Sequence, residues 1–371
     1  MKKFIFILYA AFLLLFSVSS YAFVDPNLSY LKDIYSGFAF SNRLLITIFY
    51  TSAVVIFFIF YGVFIYLGIK RKISLKEILM LSGMSAAISF FSYPAMLSFD
   101  IFNYIATSKV LFSYHENPYI VMPIEFVGDP LLAFTRAANK IALYGPSWIL
   151  LSGIPYSLGF GNFILTLFSF KLFIIIFYFL TVSLVWKLSK NIIPVILFAL
   201  NPLVIIETFV SGHNDIVMIF LVLFSFFLLN QKNIFMGIVF FVLSIFIKYA
   251  TILLIPIFFY IVWRLGKNKG VDWMRVYFFS SLLMLIAFLL SPIREEIYSW
   301  YAIWFISFAF LIPNKKLLLY ISIAFSFSLL LRYFPYMFTG TYADKTPFLK
   351  EVVSFTPPIL VVIYYVFKKK I

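Results

Sequence analysis

The sequence contains no cysteine and only two histidines among its 371 residues. The absence of cysteine excludes disulfides, thiolate chemistry and cysteine-bound metals. The two histidines, His115 and His213, are far apart in the chain, which argues against a zinc cluster. Charged residues are also scarce, at 12% of the chain, whereas a soluble domain carries roughly a quarter. Such a chain has too few polar groups to cover a water-soluble globule.

Hydrophobic residues, by contrast, make up 64% of the chain and give it a mean hydropathy of +1.06. They occur in runs of ~20 residues, long enough to cross a ~30 Å hydrocarbon core as a helix. The runs are continuous rather than alternating, which argues against a transmembrane β-barrel. We therefore predict an all-α fold, a polytopic transmembrane helical bundle of about 12 spans.

The predicted spans are separated by charged loops and by proline- or glycine-containing breaks. They cover residues 3–20, 44–68, 77–97, 163–186, 192–209, 214–230, 234–264 (two short helices meeting at Lys248), 273–291, 298–312, 317–332 and 350–367. The single membrane domain, 1–371, thus comprises three N-terminal spans (1–97), an extracytoplasmic loop (98–160) and the remaining spans (161–371).

Two segments of this organisation need separate interpretation. Residues 143–160 are apolar but broken by glycine and proline, so we predict a re-entrant or interfacial segment in the first large outer loop. Residues 1–22 are compatible with a cleaved signal peptide or an uncleaved first helix. We favour the uncleaved helix, because its apolar stretch is long for a signal core.

The net charge of +15 would suggest nucleic acid as the partner of a soluble protein. Here the basic residues concentrate in short loops, as at Lys70-Arg71-Lys72, and this is typical of cytoplasmic loops. We therefore predict membrane lipids rather than nucleic acid as partners. The predicted location is a prokaryotic plasma membrane with both termini cytoplasmic and residues 23–43 outside. Most acidic residues then fall outside, which suggests an extracytoplasmic active site.

The first candidate cluster of site residues lies in the predicted outer loop. Asp100 follows the third predicted span, and Tyr104, Asn117, Tyr119 and Tyr144 come after it. A lone carboxylate at a helix exit can be a loop anion without a function. The polar and aromatic residues that follow favour a site.

The second cluster begins at Glu207, inside a predicted span, where an ionisable residue usually faces a cavity or a partner. The structural alternative is that Glu207 pairs with Lys171 or Lys248. His213, Asn214 and Asp215 then open the next helix, either as helix caps or as substrate contacts.

Two further features remain open between a structural and a functional role. Lys248 interrupts an apolar run, so it either snorkels to the bilayer surface or meets a lipid phosphate. Trp300, Tyr301 and Trp304 form either an interfacial aromatic belt or a platform for a sugar ring.

Together these segments resemble the GT-C superfamily of polytopic glycosyltransferases, and most closely its polyprenol-phosphate-mannose-dependent mannosyltransferases. The resemblance covers about residues 90–310. The matching motifs are Asp100 to Tyr104, Asn117-Pro118-Tyr119, Tyr144-Gly145-Pro146, Asn201 to Glu207, Gly212 to Asp215, and Lys248. Here the chain lacks the second acidic residue that many members carry next to the first.

The resemblance implies transfer of a hexose, with mannose favoured, from a polyprenyl-phosphate donor to a hydroxyl of a glycan or glycolipid acceptor, with inversion. Because a lipid phosphate is a good leaving group, one carboxylate base is sufficient, and Asp100 is the candidate. Lys248, with Arg136 or Arg294, would hold the phosphate. The remaining candidates for substrate binding are Tyr104, Asn117, Tyr119, Tyr144, Glu207, His213, Asn214, Asp215 and Tyr301. No metal ligand is predicted, no cofactor is implied, and a divalent cation stays open.

Two other classes remain: a flippase or transporter of lipid-linked sugars that uses Glu207, Asp215 and Lys248 as a polar path, and a non-catalytic scaffold. Transporters often contain internal repeats, and none is visible in this sequence. The enzyme hypothesis requires Asp100 and Lys248 to face one outward cavity that opens laterally to lipid.

Overall fold

The computed structural model describes residues 2–22, 38, 41–293 and 296–368. Every regular element within these residues is helical, so the predicted all-α class is confirmed. The α-helices are α1 (Lys2–Ser19), α2 (Arg43–Ile69), α3 (Leu75–Ser89), α4 (Asp100–Phe112), α5 (Pro146–Ser157), α6 (Phe163–Ser189), α7 (Ile192–Ala199), α8 (Pro202–Ile205), α9 (Asp215–Asn230), α10 (Ile234–Ile245), α11 (Ile255–Gly266), α12 (Trp273–Leu290), α13 (Ala302–Ala309), α14 (Lys316–Leu331), α15 (Phe334–Thr339) and α16 (Thr346–Lys368). Arg294 and most of the predicted outer segment 23–43 lie outside the described residues.

In the described part of the chain, seven helical segments are long and apolar enough to cross a membrane. They are Lys2–Ser19, Arg43–Ile69, Phe163–Ser189, Tyr249–Gly266, Trp273–Ile293, Lys316–Thr339 and Thr346–Lys368. The pair Ile192–Ala199 and Pro202–Val210, bent by 52°, makes an eighth if it counts as one span. These helices are those of a membrane protein, but the predicted twelve spans are not confirmed.

The difference in span number arises because an apolar run is not always one helix. The predicted span 77–97 corresponds to α3, which ends at Ser89, before Pro94 and a 3-10 turn. Helix α9 has 16 residues, and at 1.5 Å per residue it covers only about 24 Å of a ~30 Å hydrocarbon core. Apolar composition alone therefore does not establish that each run is a full-length span.

The buried centre of the bundle contains α7, α9 and α13. All eight residues of α13 are buried, and so are most residues of α9. The outer helices instead expose large apolar side chains: Phe259 in α11 and Phe348 in α16 are each 66% exposed. Water would make such surfaces costly, whereas hydrocarbon tails suit them.

Contacts between the N-terminal helices define the two ends of the bundle. Lys2, at the start of α1, forms an ion pair with Glu77, in the first turn of α3. At the other end, the Tyr21 hydroxyl donates to the Phe91 carbonyl oxygen at 2.6 Å, and the backbone N–H of Tyr93 donates to Ser20. The chain then enters α4 at Asp100, so α4 begins at the end of the bundle opposite Lys2.

The predicted outer loop, 98–160, contains two α-helices, and the chain between them includes the short 3-10 helices Pro123–Glu125 and Pro130–Ala133. Helix α4 packs on α5, and a hydrogen bond of 2.7 Å joins the Ser108 and Ser152 hydroxyls. Helix α5 begins at Pro146 and tolerates an internal proline, Pro155. A re-entrant path for this segment is not confirmed.

Candidate active site

A cavity of about 810 Å³ lies at the end of the bundle where α4 begins. Its wall takes residues from the segments 97–103, 136–145, 248–253, 287–291, 296–304 and 336–342. Of the predicted site residues, it brings together Asp100, Arg136, Tyr144, Lys248 and Tyr301. Asp100 and Tyr301 are 201 positions apart in the sequence, and both line this cavity.

Asp100 is the first residue of α4, and its side chain retains 24% exposure toward this cavity. The short turn at Pro94–Met96 precedes it, and the Ser98 hydroxyl accepts a hydrogen bond from its backbone N–H. A carboxylate in the first turn of a helix is favoured by the helix dipole. Burial opposes ionisation, but the contact with His213 and the charge of Lys248 outweigh it and lower the pKa of Asp100. Asp100 is therefore an ionised carboxylate at neutral pH.

Lys248 lies at the break between α10 and the 3-10 helix Tyr249–Leu254, as predicted. Its Nζ is 2.7 Å from an Asp215 carboxylate oxygen and 5.3 Å from the centre of the Tyr301 ring. Asp215 is fully buried, and its other carboxylate oxygen accepts from the indole N–H of Trp304. Asp215 thus holds Lys248 at the cavity wall, and it does not itself line the cavity.

The second predicted cluster is buried behind Asp100. His213 is fully buried, with Nδ1 3.5 Å from Asp100 and Nε2 3.3 Å from Glu207. Its ring stacks on Trp300 at a centroid distance of 3.7 Å. His213, Asn214 and Glu207 are all absent from the cavity lining, so the structure brings them next to the site without exposing them to it.

The alternative pairing of Glu207 with Lys171 or Lys248 is wrong. Glu207 accepts a hydrogen bond of 2.9 Å from the Tyr333 hydroxyl and faces His213. Lys171 donates to the backbone carbonyl oxygens of Ser89, the last residue of α3, and of Ser92 just beyond it, and Lys248 pairs with Asp215. The carbonyl groups at the end of a helix have no partner within the helix and can accept hydrogen bonds from a lysine. Lys171 therefore has acceptors without an ion pair to Glu207.

The Asn201-Pro202 dipeptide explains how Glu207 comes to face His213. The Asn201 side-chain oxygen accepts from the N–H groups of Leu203 and Val204, and it restarts the helix after a break. A π-helical turn at Ile206–Val210 follows, and the chain reverses at Gly212 with φ of +73°. The backbone N–H of His213 then donates to the Glu207 carbonyl oxygen at 3.0 Å. Both side chains are positioned by this local geometry.

The outer-loop tyrosines serve mainly to hold the loop. The Tyr104 hydroxyl donates to the Asn214 side-chain oxygen, and the Tyr104 ring packs edge-on against Tyr144. The Tyr119 hydroxyl donates to the Tyr144 carbonyl oxygen at 2.9 Å, and the Asn117 side chain accepts from the Tyr119 N–H. Of these four predicted residues only Tyr144 lines the cavity.

Gly145 joins the outer loop to the break that carries Lys248. Its N–H donates to the Ile247 carbonyl oxygen, and the Ser147 N–H donates to the Phe246 carbonyl oxygen, both at 3.0 Å. A Cβ on Gly145 would lie 2.1 Å from the Phe246 oxygen, which is backbone and cannot rotate away. The Tyr-Gly-Pro motif therefore requires glycine for this close approach.

We predict that Gly145→Ala lowers the rate of sugar transfer by about 100-fold. The added Cβ would push the backbone at 246–248, and with it Lys248, by about 1 Å, and a displacement of that size at an active site can cost about 100-fold in rate. The measurement is the initial rate of sugar transfer by purified protein. Gly62→Ala is the matched control, because nothing lies within 4 Å of its added Cβ. Equal rates for the wild type and Gly145→Ala would contradict this role for Gly145.

Several cavity residues were not predicted from the sequence. The cavity wall also contains Glu296, Tyr298, Tyr336 and Tyr342, which come much later in the chain than the outer loop. Glu296 pairs with Arg332 and Lys350 at 3.3 Å each, and the rings of Tyr336 and Tyr342 stack 4.0 Å apart. Glu296, Tyr336 and Tyr342 lie between predicted spans, and Tyr298 is the first residue of one. None of the four belongs to a motif, so no sequence signal marks them as site residues.

Among the residues that the structure describes, no group of three histidine, aspartate or glutamate side chains is arranged to hold a metal ion. No residue is therefore assigned as a metal ligand.

Long apolar helices around a cavity with an ionised carboxylate and a lysine define a polytopic membrane protein with an internal cavity that carries charged groups. The chain belongs to the MptA_B family: the family model described as alpha-(1->6)-mannopyranosyltransferase, N-terminal domain, matches residues 8–264. No curated protein and no solved structure matches it. Membership confirms the resemblance to mannosyltransferases and supports a glycosyltransferase that transfers mannose.

Proposed function

We propose that this protein transfers mannose from a polyprenyl-phosphate-mannose donor to a hydroxyl of a glycan or glycolipid acceptor, with Asp100 as the base. The acceptor O–H gives its proton to the Asp100 carboxylate while its oxygen bonds to C1 of mannose. The bond from C1 to the phosphate oxygen breaks at the same time, and its electron pair leaves with the lipid phosphate. One displacement inverts the configuration at C1.

The observation that carries the proposal is that Asp100 and Lys248 line the same cavity. Lys248 can donate charge-assisted hydrogen bonds to the departing phosphate, which stabilise its growing negative charge. Arg136 and Lys140 line the cavity as well, so cationic groups outnumber the single carboxylate on the outer-loop side. A base beside an anion-binding group is what displacement of a phosphate leaving group requires.

The cavity wall also supports a lipid donor. Part of it is apolar and belongs to helical segments that are candidate spans: Ala250 and Leu253 on one, and Ala287 and Leu290 on the next. Tyr249 and Leu290 line the cavity, and each side chain is 50% exposed. A prenyl chain could therefore lie between these two segments in the bilayer while its phosphate reaches Lys248.

The family description specifies an α-(1→6) linkage, and this linkage constrains both the donor and the acceptor. An alpha-(1->6) product made by inversion requires a donor in which mannose is β-linked to phosphate. The acceptor hydroxyl would then be the primary 6-hydroxyl of a mannose residue. This hydroxyl stands on a flexible CH₂ group, and it can reach a carboxylate at the edge of a cavity without the whole acceptor being enclosed.

We place the cavity on the extracytoplasmic side of a prokaryotic plasma membrane and retain twelve crossings, with the shorter α9, α10 and α13 among them. Lys2 Nζ contacts the Lys72 carbonyl oxygen at 3.1 Å, so two basic segments meet at the end opposite the cavity. Near the start of α16, Lys350 contacts Glu296 of the cavity wall, so this helix runs away from the cavity toward Lys368. Basic residues at that end favour the cytoplasm, with both termini there.

This orientation predicts the labelling of single cysteines, which is unambiguous because the natural chain has none. Val127, which is 93% exposed in the outer loop, and Lys72, which is exposed at the opposite end, are replaced one at a time by cysteine. A membrane-impermeant maleimide applied to intact cells should label Val127→Cys, and Lys72→Cys only after the cells are opened. The reverse pattern would place the cavity in the cytoplasm.

The donor is tested with purified protein in liposomes and radiolabelled mannose supplied either as polyprenyl phosphate mannose or as nucleotide-linked mannose. We expect product only from the lipid-linked donor. Transfer from the nucleotide donor alone would refute a lipid-phosphate donor. No transfer from either, combined with movement of the lipid-linked sugar across the liposome membrane, would instead favour a flippase.

A further inference from the structure

His213 lies between two carboxylates in the buried interior. One ring nitrogen is 3.5 Å from Asp100 and the other is 3.3 Å from Glu207, and both His213 and Glu207 are fully buried. In both contacts the atoms are close enough for electrostatic attraction between opposite charges, although neither contact meets the geometry of a hydrogen bond. Only Asp100, at one end of this row, reaches the cavity.

The surroundings leave His213 little freedom to move. Trp300 stacks on its ring, and its backbone is tied to Glu207 through a hydrogen bond. The preceding Gly212 has a φ of +73°, and a Cβ there would lie 2.9 Å from Ile101, the residue after Asp100. The chain segments that carry the imidazole and Asp100 therefore pack directly against each other.

The far end of the row is also held. Glu207 accepts from the Tyr333 hydroxyl at 2.9 Å. Tyr50 packs edge-on against Tyr333 and donates its own hydroxyl proton to the Leu330 carbonyl oxygen. The row of side chains is therefore Asp100, His213, Glu207 and Tyr333, with Tyr50 behind the last.

We propose that His213 is a positioning residue for the base: held as an imidazolium between Asp100 and Glu207, it orients the Asp100 carboxylate and keeps it ionised. This inference rests on the proposed role of Asp100 and deepens it. It also assigns a different role to His213 than contact with the donor sugar, because a fully buried imidazole beneath Trp300 cannot reach a ligand in the cavity.

The charges around the row agree with this assignment. Burial disfavours the imidazolium, but the two carboxylates outweigh it and raise the pKa of His213 above its ordinary value. Asp100 also faces Lys248, Asn103 and the hydroxyls of Tyr104 and Tyr144, of which Lys248 carries a positive charge. With both carboxylates ionised, the row Asp100–His213–Glu207 carries one net negative charge when His213 is protonated and two when His213 is neutral.

The protonation state can be measured without any activity assay. The chain has only two histidines, and His115 is exposed with φ of +58°, a conformation that asparagine tolerates. In full-length His115→Asn protein, ¹⁵N-labelled histidine therefore reports His213 alone in an NMR titration. We expect both ring nitrogens to stay protonated above pH 6.5. In the Glu207→Gln variant we expect the midpoint of the His213 titration to move to lower pH by about 1–3 units, because one of the two carboxylates beside the ring is removed. A neutral ring at pH 6.5, or the same titration in both proteins, would overturn the proposal.

The pH dependence of transfer gives the second test. Loss of the neighbouring cation in His213→Asn disfavours the ionised form of Asp100, so its pKa rises. The acidic limb of kcat should then move to higher pH by about 1–3 units. His115→Asn should keep the wild-type profile. A uniform loss of rate with unmoved limbs would show that His213 has only a packing role.

The two tests separate the two hypotheses. If the wild-type protein transfers no sugar from any donor, the proposed function fails, and the NMR titration still decides whether His213 is an imidazolium held by two carboxylates.

Discussion

Replacement of Asp100 by asparagine is expected to lower kcat for mannosyl transfer by about 10²- to 10⁴-fold, the usual contribution of a general base. Asparagine has nearly the shape of aspartate but cannot accept the proton of the acceptor hydroxyl. The affinity for the lipid donor should change little, because the phosphate is assigned to Lys248, a different group of the cavity wall. The measurements are single-turnover transfer rates and equilibrium binding of the donor.

The control for Asp100→Asn is Glu116→Gln, which removes an exposed carboxylate from the same outer loop. Glu116 does not line the cavity, and its loss should leave the rate within about twofold of the wild type. A rate for Asp100→Asn close to that of the control would mean that another group accepts the proton. A loss of donor binding in parallel with rate would place Asp100 in binding rather than in proton transfer.

Replacement of Lys248 by methionine is expected to have two separate effects. Loss of a charge-assisted hydrogen bond worth about 1.5–3 kcal/mol should weaken donor binding by roughly 10- to 150-fold. The buried Asp215 carboxylate would also lose its ion-pair partner and keep only Trp304. Breaking one side of a buried pair costs about 3–5 kcal/mol of stability, so the midpoint of thermal unfolding should fall.

The double variant Lys248→Met/Asp215→Asn separates these effects. It removes both charges, so the unfolding midpoint should return toward the wild-type value while donor binding stays weak. Lys76→Met, which removes an exposed lysine at the opposite end of the bundle, should change neither quantity. If the double variant recovers donor binding together with stability, Lys248 acts on the fold and not on the phosphate.

Part of the candidate site was predictable from residue types and their order. Asp100, Tyr144, Lys248 and Tyr301 stood out as polar or aromatic residues next to long apolar runs, and the fold places them around one cavity. A charged residue beside a run of that length must find water, a partner or a ligand. The break at Lys248 was predictable for the same reason, since a lysine is costly in the middle of a span.

The direction in which each side chain points was not predictable. His213 and Asp215 belong to one four-residue motif, yet His213 faces Asp100 and Glu207 while Asp215 faces Lys248 and Trp304. Their orientation depends on the π-helical turn at Ile206–Val210 and on Gly212, whose conformations arise from the surrounding packing. The spacing of the motif therefore identified these residues as a cluster, but it could not show that they lie behind the cavity wall and not in it.

The predicted number of spans is not confirmed for a related reason. Hydropathy does not distinguish a helix that faces lipid from a short one enclosed by protein. Helix α13 is entirely buried and α9 largely so, and both are apolar because their neighbours are. Glu296 and Tyr342 were missed because the cavity wall closes only when distant segments of the chain meet.

The central claim is a single displacement in which Asp100 acts as a base and not as a nucleophile. The most direct measurement is the anomeric configuration of the product, determined by NMR after incubation with polyprenyl-phosphate-mannose of defined configuration. We predict that the protein consumes the β-linked donor and forms an α-linked product, and that it does not use the α-linked donor. Formation of an α-linked product from the α-linked donor would mean retention, which requires two displacements, and would contradict the role assigned to Asp100.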